Sequence, residues 1–186
     1  MSAPDVNDDH EGSDCHPLAP IPAWWSAFLF QILNPRQVCM YAYLAMLCSQ
    51  KDSCHPTTDQ IRGDLGLYST SMVFEALAVL EELCFIERVR QSFPGTRAHR
   101  NVYRLQPCEK TLLRLLEADL IDGALRPITR DGSSGGPSPE SQRLIADGLE
   151  AMLAGDYPRY RAASDEDKRE VLVQSLSASL GERQAN

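Results

Sequence analysis

Starting at Val73, the apolar residues Ala76, Leu77, Leu80 and Cys84 recur at i+3, i+4, i+7 and i+11, painting one buried stripe along a helix over 69–83. The opposite face carries Ser71, Glu75, Ala78 and Glu82, with Thr70 and Phe74 on its flanks, and is left for contact outside the domain. Just upstream, Thr57 with Gln60 reads as a capping box that opens a short helix over 57–65. Gly66 follows where a left-handed turn residue is least costly, and Ser69 is placed to cap the longer helix. The pair is a helix, a tight turn and a second helix.

Helical patterning continues on both sides. Pro22 opens AWWSAFLFQIL, with Trp24, Phe28 and Ile32 on one face and Trp25 and Leu29 beside it; aromatics at this spacing are expected to pack on their own domain. Asn34-Pro35-Arg36-Gln37 is a helix start, and the helix that follows, to about Leu47, is apolar on nearly every side, which predicts a central helix with Cys39 and Cys48 as small buried hydrophobes. Residues 85–105 break the helical period: two stretches with β-branched and aromatic residues flank Pro94-Gly95 and predict a β-hairpin. A helix over 108–125 follows, with Leu112, Leu113, Leu116 and Leu120 as its strip and Gly123 near its end. After the flexible-looking stretch RDGSSGGPSP, Ile145, Leu149, Met152 and Leu153 predict a helix ending near Gly155. Ser164 followed by three acids starts another, lined by Leu172, Leu176 and Leu180, with Gly181 just past its end. These two helices are too little to bury a core alone and are expected to dock on the body, on a second copy or on another protein.

Charge sharpens this picture. The 186 residues sum to −8, but unevenly. Residues 1–30 hold five acids and no Lys or Arg, residues 31–107 hold eight bases against seven acids, and residues 108–186 hold ten against fourteen. Residues 1–20, acidic and rich in Ser and Pro, read as a disordered tail. An acidic chain argues for a nucleic-acid partner only through where its bases sit. Here Arg88, Arg90, Arg97, Arg100 and Arg104, with His99, fall in one hairpin without an acid between them. Solvated charge runs normally mix signs, so this run points to phosphate. Against it stand Glu75, Glu81 and Glu82 on the longer helix, which a phosphate backbone would repel.

Other chemistry is thin. The six cysteines form no C-x-x-C pair and suit reduced thiols. Cys48, Cys54 and His55 are too few and irregularly spaced for a structural zinc, and no metal or cofactor is expected. There is no Gly-rich phosphate loop, G-x-S-x-G or H-E-x-x-H motif, so an enzyme is not expected. Nothing approaches a membrane span or an export signal, which predicts a cytoplasmic, nucleoid-associated protein.

The order of central helix (35–48), capped helix (57–65), Gly-turn, longer helix (69–83) and arginine-bearing hairpin (85–105) resembles the winged helix-turn-helix domain of bacterial transcription regulators and plasmid replication initiators. The stretch IRGDLGLYSTSMVFEALAVLEELCFIERV is similar to the part those proteins set against DNA. Cys84 departs from the pattern, standing where such domains place a helix-ending Gly, so a different helix end and hairpin angle are expected.

The resemblance implies a mainly α fold with a small β-hairpin wing, flanking helices and a C-terminal helical hairpin: a winged domain over 21–126, a linker over 127–139 and a helical segment over 140–186. It implies sequence-specific double-stranded DNA binding, with Thr70, Ser71, Phe74 and Glu75 on base edges and the helix start at Ser69 on phosphate. Arg88, Arg90, Arg97 and Arg100 would hold phosphates, and Arg97 or His99 would reach a narrow minor groove. Thr58, Gln60 and Arg62 are further phosphate candidates. Dimerisation through helices 23–33 and 108–125 follows the habit of such regulators, and the C-terminal helices are left for a protein partner. Two alternatives stand beside the regulator: a plasmid replication or partition initiator, and an interaction scaffold built on a winged helix without DNA contact.

Overall fold

The computed structural model describes residues 21–49, 51–92, 99–128 and 138–185. The expected acidic tail, the Pro94-Gly95 turn with Arg97, and most of the linker lie outside them, as does the His99 side chain. The chain is mainly helical with one two-stranded antiparallel hairpin. In order come α1 (Ala23–Ile32), α2 (Pro35–Cys48), α3 (Thr58–Asp64), α4 (Thr70–Glu82), β1 (Ile86–Ser92), β2 (His99–Leu105), α5 (Cys108–Glu117), α6 (Pro139–Leu153), α7 (Tyr157–Ala162) and α8 (Asp165–Ala185). No described helix is long and apolar enough to cross a membrane.

Local sequence sets the helix starts. Asn34 and Gln37 exchange both capping-box hydrogen bonds, as do Thr57 and Gln60, and the Met72 N–H donates to Ser69 Oγ. The ends of α3, α4 and α5 share one design, in which a left-handed residue turns the chain and two N–H groups reach back to the last carbonyls. Gly66 (φ 61°), Cys84 (φ 56°) and Asp119 (φ 51°) fill that position. Cys84 thus takes the conformation reserved for Gly, contrary to the expected different helix end. Phe85 N–H donates to Leu80 O (2.8 Å), Cys84 N–H to Glu81 O (3.1 Å), and Thr111 Oγ1 donates to Cys84 O (2.7 Å), which together hold it there.

The core draws on residues from Trp25 in α1 to Leu176 in α8. Trp25 stacks on Phe28 (5.2 Å between centroids), and Trp25 and Tyr41 both pack on Phe85, while Trp25 Nε1 donates to the Tyr41 hydroxyl (3.1 Å). Val73, Ala76, Leu77 and Leu80 bury the inner face of α4. Cys54 pairs with Tyr103 in both directions, so the segment before α3 adds a one-residue bridge to β2.

Several expectations need correction. α2 is buried on one face only, through Met40, Tyr41, Tyr43 and Leu44; Cys39, Ala42, Met46 and Leu47 are exposed, because no element among the described residues covers that side. The buried face of α1 is Trp25, Phe28 and Leu29, and Trp24 is only half buried, against α6. α5 stops at Glu117 instead of 125, since Asp119 turns the chain and a loop held by Asp122 follows; Asp122 accepts from the N–H groups of Ala124 and Arg126. Gly123 serves a close approach to the Arg169 backbone and ends no helix. Gly181 lies inside α8, and α7 was not expected.

α6 packs on α1, and α8 on α5. Arg169 on α8 donates to Asp119 Oδ1 (2.6 Å) and to Leu116 O, closing the end of α5, and Arg183 pairs with the buried Glu109 (2.7 Å). α1 and α5, for which packing on their own domain and a two-fold seam were both open, turn apolar residues to this chain's own helices, while Phe30 of α1 stays exposed.

Candidate nucleic-acid interface

The surface in question is built on a locked inner face. With Val73, Ala76, Leu77 and Leu80 held in the core, helical geometry sends Thr70, Ser71, Phe74, Glu75 and Ala78 outward, and all five are exposed. Phe74 keeps 47% of its surface accessible. Ser69 Oγ receives the Met72 N–H and lies 2.8 Å from Ser71 Oγ, so the start of α4 carries a fixed pair of hydroxyls. Before it stands Tyr68, 93% exposed in the turn, and beside it Arg36, whose guanidinium is 3.8 Å from the Glu75 carboxylate. Neither was anticipated. An aromatic amid turn residues was a signal for the first, and the exposed first turn of a capped helix for the second.

α3 is fastened to α2 by a hydrogen bond from the Tyr43 hydroxyl to Asp64 Oδ2 (2.7 Å). Burial, then the bond to Asp64, push that hydroxyl up to about 12. Thr58 is half buried, whereas Gln60 and Arg62 are exposed. Gln60 Oε1 accepts from the Thr57 N–H, which leaves its amide N–H groups for a ligand, and Arg62 pairs with Asp59 (3.4 Å). An open cleft of about 760 Å³ runs from α3 to the hairpin, lined on its polar side by Lys51, His55, Thr57, Gln60, Asp64 and Arg100.

The hairpin register divides the arginines. Opposed residues share a face, and faces alternate along each strand. Arg88 (opposite Tyr103) and Arg90 (opposite Asn101) lie on the side whose inner end, Ile86 and Tyr103, is buried; Arg100 and Arg104 lie on the other. The acid-free stretch is therefore not an acid-free surface. Arg88 pairs with Glu81 of α4 (2.6 Å) and Arg104 with Glu87 across the strands (4.0 Å). Arg90 is exposed and makes no ion pair among the described residues. Arg100 is exposed at the mouth of the cleft. The sequence missed these partners because both acids lie just outside the window that contains the arginines.

Chemically, the surface offers hydroxyls, two exposed aromatic rings and guanidiniums whose carboxylate partners are at least partly solvated. Such pairs are worth only about 0–1 kcal/mol each, so an incoming phosphate can replace the carboxylate. Among the described residues no group of three or more His, Cys, Asp or Glu is placed to hold a metal ion.

Helix pair, exposed second helix and following hairpin define a helix-rich fold with a small β-wing. In sequence, the chain matches no protein-family model and no curated protein. In three dimensions it is similar to a solved structure described as that of a transcriptional regulator, with 18% identity over 86% of this chain and 91% of that one and a TM-score of 0.44.

Proposed function

We propose that this chain is a sequence-specific double-stranded DNA-binding regulator of the winged helix-turn-helix type, with α4 in the major groove and the hairpin along the backbone. The observation that carries the reading is the outer face of α4, where Thr70, Ser71, Phe74 and Glu75 are exposed on a helix held from behind by four buried residues. Each has a partner on a base edge: hydroxyls serve several bases, Phe74 meets a thymine methyl, and Glu75 accepts from a cytosine amine. Arg88, Arg90, Arg97, Arg100 and His99 supply the backbone and minor-groove contacts, with Ser69 at the start of α4 and Thr58, Gln60 and Arg62 on α3. Tyr68 and Arg36 join them as further contacts. The same surface would serve a replication initiator at an origin. A two-fold assembly would use what α1 and α5 leave outside, such as Phe30, 68% exposed.

The scaffold reading draws on one observation: Arg36, Arg62, Arg88 and Arg104 each pair with an acid of this chain. Titrating a labelled mixed-sequence duplex at rising salt, with wild type and with Arg88, Arg90 and Arg100 all replaced by Ala, separates the two. DNA binding predicts wild-type affinity that falls steeply with salt and is lost in the variant. Equal affinities, or no wild-type binding at near-physiological salt, would favour the scaffold.

A further inference from the structure

Two cysteines set aside as metal ligands converge on one carbonyl of β2, that of Tyr103. Cys48 is the last residue of α2 and Cys54 the bridge residue before α3. Cys48 Sγ reaches Tyr103 O (3.8 Å), the same carbonyl that accepts the Cys54 N–H (2.9 Å). Cys54 Sγ reaches Leu44 O (3.9 Å), one helical turn before Cys48. Both sulfurs thus sit where the end of α2, β2 and the segment before α3 meet.

Their surroundings differ. Cys54 is 6% exposed, whereas Cys48 is half buried and opens on a cleft lined by Lys51 and Arg104 against one acid, Asp52. The neighbouring Cys54 thiol pushes Cys48 down, and the Cys48 thiol, then burial, pushes Cys54 up. A reachable thiol with depressed pKa beside a shielded one is the arrangement of an attacking and a resolving cysteine.

We infer that Cys48 and Cys54 are a hydroperoxide-reactive dithiol that closes to an intramolecular disulfide, a property beyond DNA binding and independent of it. The Cys48 thiolate attacks the peroxide oxygen, the O–O bond breaks, and the departing oxygen takes up a proton and leaves as water or alcohol. The resulting sulfenic acid is attacked by Cys54; the S–S bond forms, and the sulfenic hydroxyl leaves with the Cys54 proton as water. Two electrons pass from the thiol pair to the peroxide. The disulfide ties the end of α2 to the segment that enters α3 and replaces both sulfur-to-carbonyl contacts.

Trypsin offers a direct test, because Lys51 lies between the two cysteines and only a disulfide would keep peptides 37–51 and 52–62 together. The full chain, reduced and then exposed to equimolar hydrogen peroxide, is alkylated and digested. The expected product is that linked pair, lighter by two hydrogens, reversed by dithiothreitol and retained in Cys39→Ser. In Cys54→Ser a sulfenic acid accumulates at Cys48 and is trapped by dimedone. The wild-type digest decides the matter even if a variant fails to fold: recovery of alkylated Cys48 and Cys54 while other cysteines are oxidised, or after excess peroxide, would overturn the inference.

Discussion

At the residue scale, Phe74 and Val73 are neighbours with opposite fates: one stands half in solvent while the other is fully buried. Replacing Phe74 by Ala removes little packing, so fold stability should change by no more than about 0.5 kcal/mol in denaturant unfolding. The same change should cost about 1–3 kcal/mol of discrimination for the preferred DNA sequence. A stability loss of several kcal/mol with unchanged DNA preference would place Phe74 in the core. Glu81 gives the opposite sign. It holds Arg88 at 2.6 Å, and Glu81→Gln frees that guanidinium for phosphate, so affinity for any duplex should rise and its salt dependence steepen in anisotropy titrations. The outer face of α4 was legible in the sequence because helical periodicity alone separates Thr70, Ser71, Phe74 and Glu75 from the buried stripe. Arg36 beside Glu75 and Arg88 beside Glu81 were not, since pairs between elements depend on how the elements cross.

At the element scale, the end of α4 shows how a local rule is overridden. A left-handed L-residue costs about 1–2 kcal/mol. Cys84 adopts it because Phe85 is buried and the carbonyls of Leu80 and Glu81 are both satisfied by the turn. Glycine would remove the strain but gives back about 0.5–1 kcal/mol in unfolded-chain entropy. Cys84→Gly should therefore raise the unfolding free energy by up to about 1.5 kcal/mol, the difference of those two costs; a loss of stability would mean that the thiol packs too well to spare. Helix starts were readable in advance because capping residues act within four positions, as Asn34 with Gln37 and Thr57 with Gln60. Ends were less so. Asp119 stops α5 without a glycine, and Gly181 lies within α8 although it was expected to stop it.

At the scale of the whole molecule, α6 and α8 complete the core instead of presenting a free surface. Gly148 marks the seam, for a Cβ there would stand 2.1 Å from Trp24 Cγ. Gly148→Ala should destabilise the fold by about 1–3 kcal/mol, read as a lower denaturant midpoint. An unchanged midpoint would mean that α6 is not seated on α1. Alkaline pH probes other contacts of the C-terminal helices, at Cys108 near Arg183 and at Tyr160 on Gly123 O. Burial, then Glu109, push the Cys108 thiol up to about 12 from 9.0, and burial, then Asp122, push the Tyr160 hydroxyl up to about 12 from 10.0. Both groups are neutral in the fold and ionise more readily unfolded, so their contribution is complete below about pH 9 and is lost as pH climbs toward 12. The denaturant midpoint should stay level to about pH 9 and then fall, and Tyr160→Phe should flatten the part above 10; a midpoint that rises there would reverse the assignment. That the C-terminal helices need a partner was legible from their size, but which surface they take was not, because Trp24 over Gly148 and Arg183 on Glu109 join residues far apart in the chain. The central claim, that α4 reads DNA sequence, is met most directly by selecting bound duplexes from a random pool, with wild type beside a variant carrying Ala at Thr70, Ser71 and Phe74. One enriched motif is expected with wild type and none with the variant, which should still bind mixed-sequence duplex through the hairpin. The same motif enriched equally by both proteins would contradict that claim.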